Sequence, residues 1–227
     1  MKKRIFLLSA LFLITIMANA QLIKDRTNGK ITMGFDLYTD INTGSKYENF
    51  DLRAINQGFG AYITYNLPML ESKHTVSIGL GVSSHNYYMK SAWLSEPYAH
   101  TITFTPLSSC DKSKLNFNYM DIPFELNFRI ADKFKISFGG KVGFLMSSRA
   151  KVIGKINEAD EVNPDTHNWE VRYNSLNAVE SIVYSAFARV GYRCVNLFVG
   201  YQVTGSFKSD RGPEILPLSI GIGIRAY

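Results

Sequence analysis

Residues 216–227 read "LPLSIGIGIRAY". Leu218, Ile220, Ile222, Ile224 and Ala226 share one parity. Ser219, Gly221, Gly223, Arg225 and Tyr227 share the other. A period of two is the mark of a β-strand, with successive side chains on opposite faces. A sheet in water buries its aliphatic face and carries charge on the wet one. Here the second face is glycine with a single arginine. Such a strand suits a barrel whose outside meets lipid and whose interior is crowded.

The same alternation recurs along the chain. "KITMGFDLYTD" sets Ile31, Met33, Phe35 and Leu37 against Thr32, Gly34 and Asp36. "GFGAYITYNL", "TVSIGLGVSS" and "DIPFELNFRI" repeat it from Gly58, Thr75 and Asp121. "FKISFGGKVGFLM", "SIVYSAFARVGYR" and "VNLFVGYQVTG" follow, and the terminal strand makes eight. Connections alternate between long and short. "TDINTGSKYENFDLRAINQ", residues 85–113, residues 148–177 and "SFKSDRGPEI" are long; "PMLESKH", "ADK" and "YRCV" are short. This asymmetry and the even count predict an all-β fold: an eight-stranded antiparallel up-and-down transmembrane β-barrel. Its turns are short on the periplasmic side and its loops long on the extracellular side, with both chain ends periplasmic. The last strand is expected to pair with the first, because an open edge in lipid leaves N–H and C=O groups unsatisfied.

The first residues, "MKKRIFLLSALFLITIMANAQ", give a basic start, an apolar run and a small-residue "ANA". The pattern predicts a signal peptide over residues 1–20, leaving residues 21–227 as one barrel domain. The formal charge of +6 falls to +3 with its removal, which does not argue for nucleic acid.

On this register Asp36, Asp121, Glu125, Arg129, Lys141, Arg189 and Arg225 face the lumen and are expected to form a paired charge network. Lys135 and Arg193 are expected near the periplasmic rim. Val183 and Phe187 also point inward and call for a small apolar patch inside the barrel. Tyr65, Tyr184, Tyr192, Tyr201, Phe134 and Phe144 suit interfacial girdles. Tyr87, Tyr88, Trp93 and Tyr98 crowd one long loop as a possible contact surface, with a strand extension as the alternative. Two details stand out in the fourth strand. Leu115, Phe117 and Tyr119 take the parity opposite to Ile122 onward, so either a bulge lies near Met120 or the strand leaves the bilayer there. Pro123 lacks an amide donor and needs an irregularity.

Chemistry-bearing motifs are absent: no G-x-S-x-G, no H-E-x-x-H and no phosphate-binding glycine loop. His74, His85, His100 and His167 fall on separate connections, and Ser83 beside His85 lacks an acidic neighbour in sequence. Glu158, Asp160, Glu161 and Asp165 make an acidic outer loop without EF-hand spacing, read as solvated charge. The expectation is a non-enzymatic protein without cofactor or metal. Cys110 and Cys194 pair by composition. Topology places them at opposite ends of the barrel, across a hydrocarbon layer of about 30 Å, so two free thiols are expected.

The "ANAQ" junction, the "YMDIPFELNFRI" strand, "FGGKVGFLM" after a tight turn, and "GYRCVNLFVGYQVTGSFKSDRGPEILPLSIGIGI" resemble the PorT-like outer-membrane β-barrel proteins of Bacteroidetes. The likeness spans nearly the whole mature chain. It implies a small outer-membrane barrel of the OmpA/OmpX type, in a family whose named members are linked to gliding and protein secretion. Arg225 and Gly223 share the parity of Tyr227, a departure from the proteobacterial terminal assembly signal. The expected role is structural or interactive: loops contacting a surface or secretion partner, and a monomeric barrel in lipid and lipopolysaccharide. A narrow channel for small solutes and a soluble barrel binding an apolar ligand are the alternatives.

Overall fold

A computed structural model describes residues 30–45, 50–69, 73–90, 92–94, 96–106, 112–131, 133–154 and 169–226. Its elements are all strands: β1 (Ile31–Asn42), β2 (Gln57–Pro68), β3 (Thr75–Met89), β4 (Ala92–Leu94), β5 (Phe104–Pro106), β6 (Lys112–Ala131), β7 (Phe134–Gly154), β8 (Trp169–Asn174), β9 (Ile182–Tyr192), β10 (Val195–Gln202) and β11 (Pro217–Ala226). Eight of them, β1, β2, β3, β6, β7, β9, β10 and β11, pair in that order, each antiparallel to the next. Pairing of β11 with β1, Met33 opposite Ala226 through Asn42 opposite Pro217, closes the barrel. β8 lies alongside the far end of β7, and β4 pairs with β5 in a hairpin of its own.

The aliphatic parity lies outside. Leu197 is 64% exposed, Ile222 57% and Phe138 52%, and Met33, Ile63, Leu80 and Phe124 share that surface. A folded chain in water does not leave so continuous an apolar band exposed. Along β6 the band runs from Ile130 to Met120. Ten residues at a tilt near 40° span about 25 Å, the height of a barrel's lipid-facing belt. Tyr65 and Tyr192 lie toward the short-turn end of that belt, and Tyr184 and Tyr201 toward the long-loop end.

β3, β6 and β7 are longer than a membrane requires. Their far halves continue past the band as a sheet, joined by β8. The parity puzzle of β6 resolves here. Leu115, Phe117, Tyr119, Asp121 and Glu125 all point inward on one uninterrupted register, and only their surroundings change from loop cap to lumen. The bulge is on β7. Asn118 faces Ser147 and Tyr119 faces Leu145, so Met146 is the extra residue. Pro123 stands where the β3–β6 ladder skips Gly79 and Leu80, which removes the need for its missing donor.

Candidate functional site

The lumen is filled in layers. At the short-turn end, uncharged side chains from five strands form a relay. Asn66 Nδ2 donates to Thr32 Oγ1 at 2.8 Å and Ser77 Oγ to Asn66 Oδ1 at 2.6 Å. Asn127 Nδ2 then donates to Ser77 Oγ, and Ser137 Oγ to Asn127 Oδ1, each at 2.7 Å. Above it, Arg225 Nη2 donates to Glu125 Oε2 at 2.5 Å, and its Nε to the Tyr62 hydroxyl at 2.5 Å. Both charged side chains are 2% exposed.

Next, Arg189 Nη1 donates to Asp36 Oδ1 at 2.7 Å. Its guanidinium carbon lies 4.4 Å from the Phe198 ring centre, and 5.0 Å from those of Phe187 and Tyr62. A cation among aromatic faces is stabilised by their quadrupoles. Lys141 Nζ donates to Asp121 Oδ2 at 2.8 Å and to Ser83 Oγ at 3.3 Å. Val183 and Phe187 are buried, and Tyr38, Phe187 and Phe198 form the apolar patch inside the barrel.

Each of these carboxylates has its own base, which makes burial of the charges affordable. The cavity left between them is about 40 Å³, lined among others by Asp36, Tyr62, Asp121, Glu125, Arg189 and Arg225. That is room for about two water molecules. Asp121 Oδ1, Glu125 Oε1 and Arg189 Nε lack a protein partner. All three belong to residues lining this cavity.

Arg129 does not belong to these layers. It is exposed at the short-turn rim, opposite Lys135. The strand parity is right, but the position lies past the end of the lumen. Four residues of the network went unread in the sequence. Tyr38, Asp40, His85 and Ser219 form a buried group at the next level. His85 Nδ1 is 2.7 Å from Asp40 Oδ2, Ser219 Oγ donates to Asp40 Oδ1 at 2.5 Å, and the Tyr38 hydroxyl is 3.4 Å from His85 Nε2. The signal was parity: Asp40 continues Asp36, Ser219 continues Gly221, and His85 continues Ser83. The sequence reads His85 as part of a connection, whereas β3 extends through it to Met89. This group lacks the arrangement of a hydrolase. Ser219 donates to the carboxylate and not to His85, whose Nε2 faces the Tyr38 hydroxyl, and Ser83 is held by Lys141. Among the described residues no group of three or more His, Cys, Asp or Glu could hold a metal ion.

Beyond His85 the interior becomes apolar. Tyr87, Leu115, Phe117 and Tyr119 from the strands meet Leu94, Ile102, Phe104, Val179, Phe207 and Ile215 from the connections. Phe117 and Phe207 meet edge to face with centroids 5.5 Å apart. Backbone bonds tie the loops over this core: Ile102 N–H to Arg211 O at 2.8 Å, Lys208 N–H to Ala178 O at 2.8 Å, and Glu180 N–H to Ser206 O at 3.0 Å. The long-loop end is therefore capped.

Of the aromatic contact set, Tyr87 is fully buried in this cap and leaves no surface for a partner. Its neighbour Tyr88 points outward, because adjacent strand residues take opposite faces. Tyr98 is 56% exposed and meets Tyr173 edge to face. Trp93 lies in β4, with its side chain outside the described residues. Cys194 is a free, exposed thiol in the β9–β10 turn, while Cys110 and the acidic residues Glu158, Asp160, Glu161 and Asp165 lie outside the described residues.

A chain of this geometry can be set against known proteins. No curated protein matches it. Among solved structures it is similar to Ail, the attachment invasion locus protein of Yersinia pestis, in complex with the heparin analogue sucrose octasulfate. That match has 13% identity and a TM-score of 0.36, and covers 86% of this chain and 95% of that one. A second Ail crystal structure matches at 15% identity and a TM-score of 0.35, with the same coverage. The Ail backbone structure in a phospholipid bilayer nanodisc matches at 12% and 0.33, covering 86% and 98%. The model of the outer membrane protein beta-barrel domain matches residues 19–208, most of the chain, and the protein belongs to that family.

Proposed function

We propose that this protein is a non-enzymatic outer-membrane barrel that acts through its extracellular surface, as a structural or docking component of surface assembly or secretion. One observation carries the reading: the lumen is filled by ion pairs and its long-loop end is closed by an apolar core. Nothing larger than water fits the remaining space of about 40 Å³. What the molecule can offer a partner is its outside. The motifs quoted above support placing it among the PorT-like barrels. The proposed working form is a monomer, exported by cleavage after Ala20, with both chain ends in the periplasm. Tyr98, exposed among the outer connections, supports a contact role there.

Purified protein in a planar bilayer is expected to pass no unitary current at neutral pH. Steady single-channel steps would overturn the reading and favour the narrow channel. A photo-crosslinking residue at position 98 should yield a discrete protein adduct on intact cells.

A further inference from the structure

The outward face of the projecting sheet carries charge that the lumen chemistry does not use. Tyr88 on β3 is opposite Lys114 on β6, Lys114 is opposite Lys151 on β7, and Lys151 is opposite Arg172 on β8. One cross-strand row thus holds three cations beside an aromatic ring. Lys112 and Arg149 flank it on the same parity, and Arg53 reaches it from the β1–β2 connection. Arg53, Lys112 and Lys114 stand 5.9, 5.7 and 5.5 Å from the Tyr88 ring centre.

Like charges directly opposite on a sheet repel. Among the described residues the compensation is sparse. Glu170 takes Lys151 at 2.8 Å and also Arg172. None of the ion pairs among the described residues includes Arg53, Lys112, Lys114 or Arg149. Partial burial, followed by the charges of Lys112 and Lys151, lowers the Lys114 ammonium below its ordinary value. A row of cations on strands about 4.8 Å apart is suited to an external polyanion.

Height above the bilayer selects the anion. Directly below the row lies an amide ladder. Asn116 Nδ2 donates to Ser84 Oγ at 3.0 Å and to Asn86 Oδ1 at 2.9 Å, and Asn118 Nδ2 donates to Ser147 Oγ at 2.8 Å. Below that, Val82 and Met120 begin the lipid-facing band. Arg149 and Lys114 are then about 10 and 15 Å above the band, counting four and six tilted strand residues from Met120. Phospholipid headgroups reach only about 5–8 Å beyond the hydrocarbon. Acidic sugars built on an outer-leaflet glycolipid reach higher.

We infer that this outward sheet face binds the phosphate- and carboxylate-bearing inner-core sugars of lipopolysaccharide. The inference rests on the proposed orientation, with the long-loop end outside the cell, and it fits a barrel that works at its surface. It is independent of whether the lumen conducts.

The test uses full-length protein refolded in nanodiscs of neutral phospholipid. It is titrated with lipopolysaccharide truncated to the inner core, with the same glycolipid stripped of phosphate, and with discs containing phosphatidylglycerol. The variant is Lys112→Gln/Lys114→Gln/Arg149→Gln. Three surface cations lost should weaken inner-core binding roughly a hundredfold. The stripped glycolipid keeps its carboxylates, so it should bind the wild type more weakly than the intact inner core does and distinguish the two proteins less, and added salt should weaken binding to the wild type more than to the variant. Without glycolipid the variant should resist heat as well as the wild type or better, since repulsion has been removed. Unchanged inner-core affinity in the variant would overturn the site. Equal binding of phosphatidylglycerol by the wild type would overturn the choice of ligand.

Discussion

Arg225 is held through Nη2 by Glu125 and through Nε by Tyr62, with almost no water reaching it. Its strength as a fixed point comes from that pairing, and so does its vulnerability. Glu125→Ala leaves a buried guanidinium without its carboxylate and should destabilise the barrel by about 3–5 kcal/mol. Replacing both partners, Glu125→Leu with Arg225→Met, should recover a large part of that loss. Denaturant midpoints in lipid give both values. A single variant as stable as the wild type would mean water reaches the pair. Small residues make room in this layer and in the one that holds Tyr38. A Cβ on Gly58 would come within 2.1 Å of the Tyr38 ring, and one on Gly34 within 2.1 Å of Tyr62. These glycines are the space the two tyrosines occupy.

At the scale of the element, one strand can serve two solvents. β6 keeps a single alternation of faces from Lys112 to Arg129, and Ile130 is an extra residue against β7 only at its short-turn end. Its inner face runs from charge at Glu125 and Asp121 to pure packing at Tyr119, Phe117 and Leu115. Its outer face runs from apolar Phe124 and Met120 to amide Asn118 and Asn116, and then to Lys114. The change is set by depth in the membrane, not by a break in the strand. Lipid-facing positions on β10 and β11 are paired neighbours, Leu197 opposite Ile222. Arginine at either should cost about 2–4 kcal/mol near the midplane and impair insertion. Refolding into vesicles, followed by heat-modifiable gel mobility, should show a reduced folded fraction for Leu197→Arg and Ile222→Arg. Full folding of both would reverse the assignment of the two faces.

For the whole molecule, closure and sidedness matter most. The β11–β1 ladder removes the last free edge within the belt, as a strand in lipid requires. The tight turn at Arg193 and Cys194, with Arg193 at a φ of 53°, marks the short-turn end. Cys194 is exposed there. In a Cys110→Ser background, a membrane-impermeant maleimide should leave Cys194 unlabelled on intact cells and label it once the outer membrane is permeabilised. Labelling on intact cells would invert the proposed orientation, and with it the lipopolysaccharide site.

The alternation of side chains by itself determined the barrel, its strand count and the lipid-facing surface, because period two and loop asymmetry are local properties of the chain. It also placed Asp36, Asp121, Glu125, Lys141, Arg189 and Arg225 on the inner parity. Parity states a direction but not a height, so it could not tell Arg129 at the rim from Glu125 in the lumen. It could not choose Arg225 as the partner of Glu125, 100 residues away along the chain. Strand ends were equally illegible. The stretch from His85 to Tyr88 reads as a connection with a strand extension as its alternative, and the extension holds because β3 runs to Met89, where Tyr87 joins one buried cluster with Phe207 and Ile215. Long-range packing made these decisions, since only the closed barrel brings sequence-distant side chains to the same depth.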